Sequence, residues 1–211
     1  MTAWVDNKQL HPLNHYLPLY RALEPAEVCA RCGVTYDAGA FQFNVLGTAM
    51  RAVWPEYRLL FPQAAPQTEE PARTRPAARL LYLRYLLEGK DLPGTGKFLT
   101  YRETPWGSVY DANFQGRCIK RLAYAFGPRP ADFARAMERL GAEKIRMGEC
   151  AYEVAFLGNH RLRIALWAGD EEFPPAAQIL FSDDFTFAFS AEDLAVVGDV
   201  LIDTLKEESA R

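Results

Sequence analysis

Between residues 152 and 166 the chain alternates apolar and polar side chains about a tight-turn pair. Tyr152, Val154 and Phe156 alternate with Glu153 and Ala155, and Leu162, Ile164 and Leu166 with Arg161, Arg163 and Ala165. Leu157-Gly158-Asn159-His160 sits between the two runs. A period of two around a Gly-Asn turn predicts a β-hairpin with one buried face. Such a face must be covered. The short apolar run Gln178-Ile179-Leu180-Phe181 is long enough for a third strand. Ser190 and Asp193 then form a capping-box-like pair, with the hydroxyl taking an orphan amide and the carboxylate lying at the positive helix end. Leu194, Val197, Leu201 and Leu205 follow at helical spacing, opposite Asp199, Asp203 and Lys206. This last helix is expected to lie across the hairpin.

The rest of the chain is read in order. Residues 1–10 read as a loose lead-in, and Leu13, Leu17 and Tyr20 as a short helical stripe made irregular by Pro12 and Pro18. Glu24 to Arg31 reads as a short helix, with Pro25 in its first turn and Gly33 as C-cap. Phe41, Phe43 and Val45 alternate, Leu46-Gly47 turns the chain, and Met50 to Leu60 returns as a strand. Pro62 to Pro76, PQAAPQTEEPARTRP, reads as an exposed linker. A helix is predicted over Ala77 to Glu88, stopped by Gly89. Phe98 to Arg102 reads as a strand, Pro105-Trp106-Gly107 as a turn, and Val109-Tyr110 as the returning strand. Helical spacing follows at Gly116 to Phe126 and at Pro130 to Leu140, where Phe133, Met137 and Leu140 share a face.

The fold class is therefore α+β, with antiparallel sheets covered by helices. The order short helix, hairpin, helix occurs twice, once from Pro25-Ala26-Glu27 through Leu46-Gly47 and Trp54, and once from Pro130-Ala131-Asp132 through Leu157-Gly158 and Trp167. This predicts an internal helix–hairpin–helix duplication. The organisation is a lead-in at 1–23, a first half at 24–89, a bridge at 90–129 and a second half at 130–206.

A net charge of −3 gives no electrostatic case for nucleic acid or an anionic membrane. MTAWVDNK lacks the basic-then-apolar character of a secretory signal, and no apolar run is long enough to span a bilayer. A cytoplasmic protein with reduced cysteines is expected. Cys29-x-x-Cys32 with Cys118 and Cys150 lacks the paired spacing of a zinc or cluster site, so buried thiols are the default reading. His11 and His15 could ligate a metal from one helical face, whereas His160 in its hairpin turn is expected to face solvent. Gly94-Thr95-Gly96-Lys97 lacks both the spacing and the following helix of a phosphate loop. No Rossmann fingerprint, nucleophile elbow or HExxH occurs.

Two stretches remain as candidate ligand sites. Arg102, Trp106, Tyr110 and Arg117 could form a wall that stacks on and hydrogen-bonds a planar or anionic ligand. Trp167, Asp170 and Glu171 could complete it, the acidic turn facing Arg102 or Arg117. Asp170, Glu171 and Glu172 repel one another, so water, a basic group or a divalent ion must relieve them.

Leu80 to Gly127, Leu166 to Phe181 and Ser190 to Ile202 resemble the prokaryotic domain-of-unknown-function family number 3786, most specifically at Trp167-Ala168-Gly169-Asp170-Glu171-Glu172-Phe173-Pro174. The resemblance covers residues 24 to 206. It implies a setting in anaerobic cofactor or one-carbon metabolism. Some members carry a four-cysteine iron–sulfur module, whose tight spacing the cysteines here do not show. The resemblance implies no reaction and no catalytic residue.

The leading expectation is a non-catalytic accessory protein that binds a small molecule or cofactor of unspecified identity between its halves. Two alternatives come from other classes. One is a metal-dependent enzyme using Asp170, Glu171 and Asp183. The other is a protein-interaction subunit presenting aromatics such as Trp54 and Trp106 to a protein partner.

Overall fold

The computed structural model describes residues 7–62 and 70–211. The hairpin forms as its alternation requires. β7 (Cys150–Leu157) and β8 (His160–Trp167) pair antiparallel, with Tyr152 opposite Ile164 and Val154 opposite Leu162. A bulge between Ala155 and Leu157 adjusts the register before the Gly158-Asn159 turn. β9 (Ala176–Ser182) adds to β8, and β5 (Phe98–Thr100) adds to β9. In the first half, β1 (Thr35–Asp37), β2 (Ala40–Val45), β3 (Thr48–Val53) and β4 (Arg58–Leu60) form an antiparallel run. β6 (Glu143–Lys144) lies beside β7.

These strands make one sheet, in the order β4-β3-β2-β7-β8-β9-β5, with β1 against β2 and β6 against β7. The halves join at the ends of their hairpins. Val45 is the only β2 residue in register with β7, opposite Leu157, and the Leu46 N–H donates to the Phe156 carbonyl at 2.9 Å. With a 3₁₀ turn at Ala72–Thr74 and a four-residue helix at Phe185–Ala188 left aside, the order α2 (Pro25–Cys32), β1, the β2–β3 hairpin, β4 and α3 (Pro76–Glu88) recurs as α6 (Pro130–Arg139), β6, the β7–β8 hairpin, β9 and α8 (Ala191–Ser209).

α8 begins as its sequence dictates. Ser190 and Asp193 bond reciprocally, the Ser190 N–H donating to Asp193 Oδ2 at 2.9 Å and the Asp193 N–H to Ser190 Oγ at 3.3 Å. Leu194, Val197, Leu201 and Leu205 are all buried, and the helix packs beside α3 and α6. Each such side chain contributes about 1.5–3 kcal/mol of burial. The opposite sheet face is polar. There Arg161 and Arg163 both bond Glu153, and together they hold its carboxyl below the usual range although burial alone would raise it.

Several expectations are corrected. The lead-in is helical from residue 7 onward, as α1 (Asn7–Arg21), which anchors at the fully buried Tyr20 and tolerates Pro12 and Pro18 within it. Residues 1–6, the side chain of His11 and residues 63–69 of the proline-rich stretch lie outside the described residues. The stretch is not wholly an exposed linker, because Ala72 to Thr74 form a buried 3₁₀ turn in which Arg73 meets Glu208. The return strand of the first hairpin is two strands, interrupted at Trp54 to Tyr57. Trp54 is half-buried, its indole N–H donating to the Tyr20 carbonyl at 3.2 Å, so it is not a free surface aromatic.

The segment after β5 is helical, not a returning strand. A 3₁₀ turn at Tyr101–Glu103 leads into α4 (Gly107–Phe114), a π-helical turn at Gln115–Lys120 and α5 (Arg121–Phe126). His160 does not face solvent. It shares the inward parity of Leu162 and Ile164 and is fully buried, its Nδ1–H donating to the Leu157 carbonyl at 2.9 Å. Tyr85, Phe189 and Phe185 on the short α7 (Phe185–Ala188) surround the ring.

Candidate ligand-binding recesses

Tyr101 organises the candidate site. Its ring stacks on Phe114 with centroids 4.1 Å apart and planes within 2°, and its hydroxyl donates to the Ala191 carbonyl at 3.0 Å. The start of α8 is thereby pinned to the 101–114 segment. The turn before α4 is tightly built. The Thr104 hydroxyl donates to the Tyr101 carbonyl at 2.6 Å, and a Cβ on Gly107 would stand 1.8 Å from that same oxygen. Only glycine fits there. Trp106, just before it, holds a left-handed φ of 63°.

Tyr101 walls two recesses. The first, of about 350 Å³, is lined by Tyr101, Tyr110, Asn113, Arg117, Glu192 and Ala195. The second, of about 230 Å³, lies between Thr100, Phe114, Ile119 and Trp167 and includes Gln178. Tyr110, Asn113 and Arg117 reach the first recess from α4 and the π turn, an irregularity common at functional sites. Arg117 is held from behind: its Nε donates to Asp199 Oδ2 at 2.7 Å, and this bond favours the charged guanidinium. Arg121 bonds the other oxygen of Asp199 at 2.9 Å.

The candidate residues are thus divided. Tyr110 and Arg117 share the first recess, and Trp167 lines the second across Tyr101. Arg102 and Trp106 are exposed and line neither. Asp170 and Glu171 lie in an exposed turn closed by Asp170 itself, whose Oδ1 accepts the Glu172 and Phe173 N–H groups at 2.9 and 2.7 Å. Arg117 therefore meets Asp199 and not the acidic turn. Asn113, Glu192 and Tyr101 escaped sequence reasoning. The first would have emerged with Arg117 as i+3 and i+7 partners of Tyr110 had 107–114 been read as helix.

Asp183 accepts the Thr95 N–H at 3.0 Å and the Thr95 hydroxyl, bonds that lower its pKa. Among the described residues, no three His, Cys, Asp or Glu side chains come together as metal ligands would. Burial pushes the thiol pKa of Cys32 up to about 11 and that of Cys118 up to about 12. Cys32 donates to the Tyr85 and Gly89 carbonyls, and Cys118 to Ala195 on α8. Both are structural thiols in separate places.

Taken together, the described residues form an α+β fold with a single antiparallel sheet, helices over one face and small recesses beside Tyr101, the larger where α4 and the π turn meet α8. The chain belongs to the family described as a domain of unknown function, DUF3786, whose model matches residues 24–204. No curated protein and no solved structure matches the chain. No helix among the described residues is long and apolar enough to cross a membrane.

Proposed function

We propose that the protein binds a small polar molecule in the recess beside Tyr101, as a non-catalytic cytoplasmic accessory protein of anaerobic metabolism. One observation carries the reading: an aromatic, an amide, a cation and a carboxylate (Tyr110, Asn113, Arg117 and Glu192) converge on about 350 Å³. That volume is at the low end of small-molecule sites. It suits a ligand the size of an amino acid or a single heterocycle, whereas a tetrapyrrole or corrinoid would remain mostly outside. Both signs of charge beside an amide favour a zwitterion. The shared element order of the halves supports a duplication as the origin of the fold.

A thermal-shift screen with free amino acids and nucleosides tests the proposal. A stabilising ligand is expected, and Tyr110→Ala and Asn113→Ala should each weaken it by about tenfold, equal to about 1.4 kcal/mol. No shift with any of these compounds, or undiminished binding in both variants, would sink the idea.

A second reading rests on the same helix. Trp106, at the left-handed position before α4, and Val109 and Tyr110 in its first turn are all exposed, apolar side chains within five residues that a protein partner could cover. Light scattering over a concentration series checks self-association. Dimerisation lost in Trp106→Ser would favour this reading, and a concentration-independent monomer would exclude a second copy as the partner.

A further inference from the structure

The sheet is only partly covered at its β9 edge. β5 pairs with β9 from Phe98 opposite Ser182 to Thr100 opposite Leu180 and goes no further. It stops for a local reason. Thr100 caps the 3₁₀ turn that follows, its N–H and hydroxyl donating to Glu103 Oε2 at 2.8 and 2.7 Å, and the chain turns away. β9 itself extends to Ala176. Among the described residues, no strand pairs with Ala176 to Ile179 on the side away from β8.

The groups left on that edge follow from the ladder. Successive residues of an antiparallel strand aim their backbone N–H and C=O at alternate neighbours. The Asp183 N–H donates to the Lys97 carbonyl at 3.0 Å, so Asp183 and Phe181 aim at the β5 side. By the same parity Ile179 and Ala177 aim at the free edge, whereas Gln178 aims at Ala165 on β8. The Ala177 N–H and C=O and the Ile179 N–H thus prolong the line of β5 with no strand to meet them.

The recess of about 230 Å³ lies along this line. Ala177, Gln178 and Ile179 border it on the strand side, Phe114, Gln115 and Ile119 on the helical side, and Thr100 closes one end. Because it lies beyond the edge of the strand, side chains of both parities border it: Ala177 and Ile179 from the helix-covered face, Gln178 and Trp167 from the open one. Trp167 is braced from behind. A Cβ on Gly148 would stand 2.8 Å from the indole, so bare glycine backbone packs against the ring.

An unpaired edge specifies its complement, an extended backbone that brings an acceptor and a donor in turn. Ala176 to Ile179 carry no charge, proline or bulge that would turn such a backbone away. The π turn at Gln115–Lys120 stands beside the edge, so one extended segment fits where the edge of a second sheet would not. We propose that this recess is a strand-addition site, taking an extended peptide segment of a partner protein as an antiparallel continuation of β5. One residue of the segment exchanges both backbone bonds with Ala177 and turns its side chain toward Phe114 and Ile119. The next lies opposite Ala176, the residue paired with Trp167, and lays a flat side chain on the indole. The site does not depend on the recess bordered by Tyr110.

The capped peptide acetyl-Thr-Val-Tyr-Lys-amide serves as the probe, its valine opposite Ala177 and its tyrosine opposite Ala176. Amide NMR of the full chain is expected to show saturable shifts at Ala177 and Ile179, with hydrogen exchange at Ala177 slowed about tenfold or more in the bound state. The same peptide N-methylated at its valine lacks the donor for the Ala177 carbonyl and should bind about tenfold more weakly. Ala177→Pro removes an N–H that the sheet does not use, and should lower affinity by a similar factor with the fold kept. If that variant fails to fold, the N-methylated peptide decides alone. Absence of binding at about 5 mM peptide, where a millimolar site would be largely filled, overturns the proposal. So does equal binding of the N-methylated peptide, undiminished binding by folded Ala177→Pro, or unslowed exchange at Ala177. Equal affinity for N-methylacetamide would overturn it in favour of a small amide. Tyr110→Ala should leave binding unchanged, and loss of binding there would move the peptide to the other recess and overturn the assignment.

Discussion

Phe185→Ala is expected to lower the unfolding free energy by about 3–5 kcal/mol, the range for truncating a fully buried phenylalanine. Phe185 is fully buried at the first position of α7, a helix of four residues with little stability of its own. Its ring centroid lies 5.1 Å from His160, 5.3 Å from Phe181, 5.4 Å from Phe189 and 6.2 Å from Phe156. One side chain thus ties the β8–β9 edge of the core to the segment that delivers the chain to α8. Its removal opens a void lined by four rings. One of them is polar: His160 Nε2 is buried and has no hydrogen-bond partner, while Nδ1 bonds the Leu157 carbonyl. A void beside such a polar atom admits water, unlike a purely apolar one. The loss should therefore lie toward the lower end of the range, and Phe185→Leu should cost less than about 1.5 kcal/mol. Urea unfolding followed by far-UV circular dichroism gives both values. Equal midpoints for Phe185→Ala and the parent protein would mean that α7 is not part of the cooperative core.

The parts of this fold that were legible in the sequence are those specified by local rules. The hairpin of Tyr152 to Leu166 rests on parity and a two-residue turn, and α8 on a reciprocal cap and a leucine stripe. Its inward parity also includes His160, so the burial of that residue was readable once the alternation was given precedence over turn context. The 101–114 segment was not legible. Val109 and Tyr110 are strand formers by propensity, and their apolar stripe faces water instead of the core that such stripes usually seek. What makes the segment helical is tertiary: Tyr101 on Phe114, and the Gly107 backbone against the Tyr101 carbonyl. The first recess was therefore only half-visible, through Tyr110 and Arg117. The join of β2 to β7 could not be read at all, because it depends on which strands meet across a separation of more than one hundred residues.

Glu208→Leu should be nearly as costly as Phe185→Ala, for the opposite physical reason. Glu208, near the end of α8, lies 3.4 Å from Arg73 in the 3₁₀ turn before α3, with both side chains less than a tenth exposed. Arg73 also reaches the Leu46 carbonyl at the first hairpin tip, at 3.4 Å, and its Nε has no partner. Removing the carboxylate leaves a buried guanidinium with one long bond, and breaking a buried pair in this way costs about 3–5 kcal/mol. The reverse change should cost less. Arg73→Met leaves Glu208 with a second cation, Arg211, whose guanidinium lies 3.2 Å from both carboxylate oxygens and is half-exposed. Replacing both members with apolar residues removes the unpaired charge, so Arg73→Met combined with Glu208→Leu should be more stable than Glu208→Leu alone. A double-mutant cycle from urea midpoints measures the coupling, expected at about 1–3 kcal/mol for residues in contact. Strict additivity would show that the two charges do not sense each other. The link they form would then have to be carried by the neighbouring bond from the Ala72 N–H to Glu207, 2.7 Å long, which ties the same turn to the same helix.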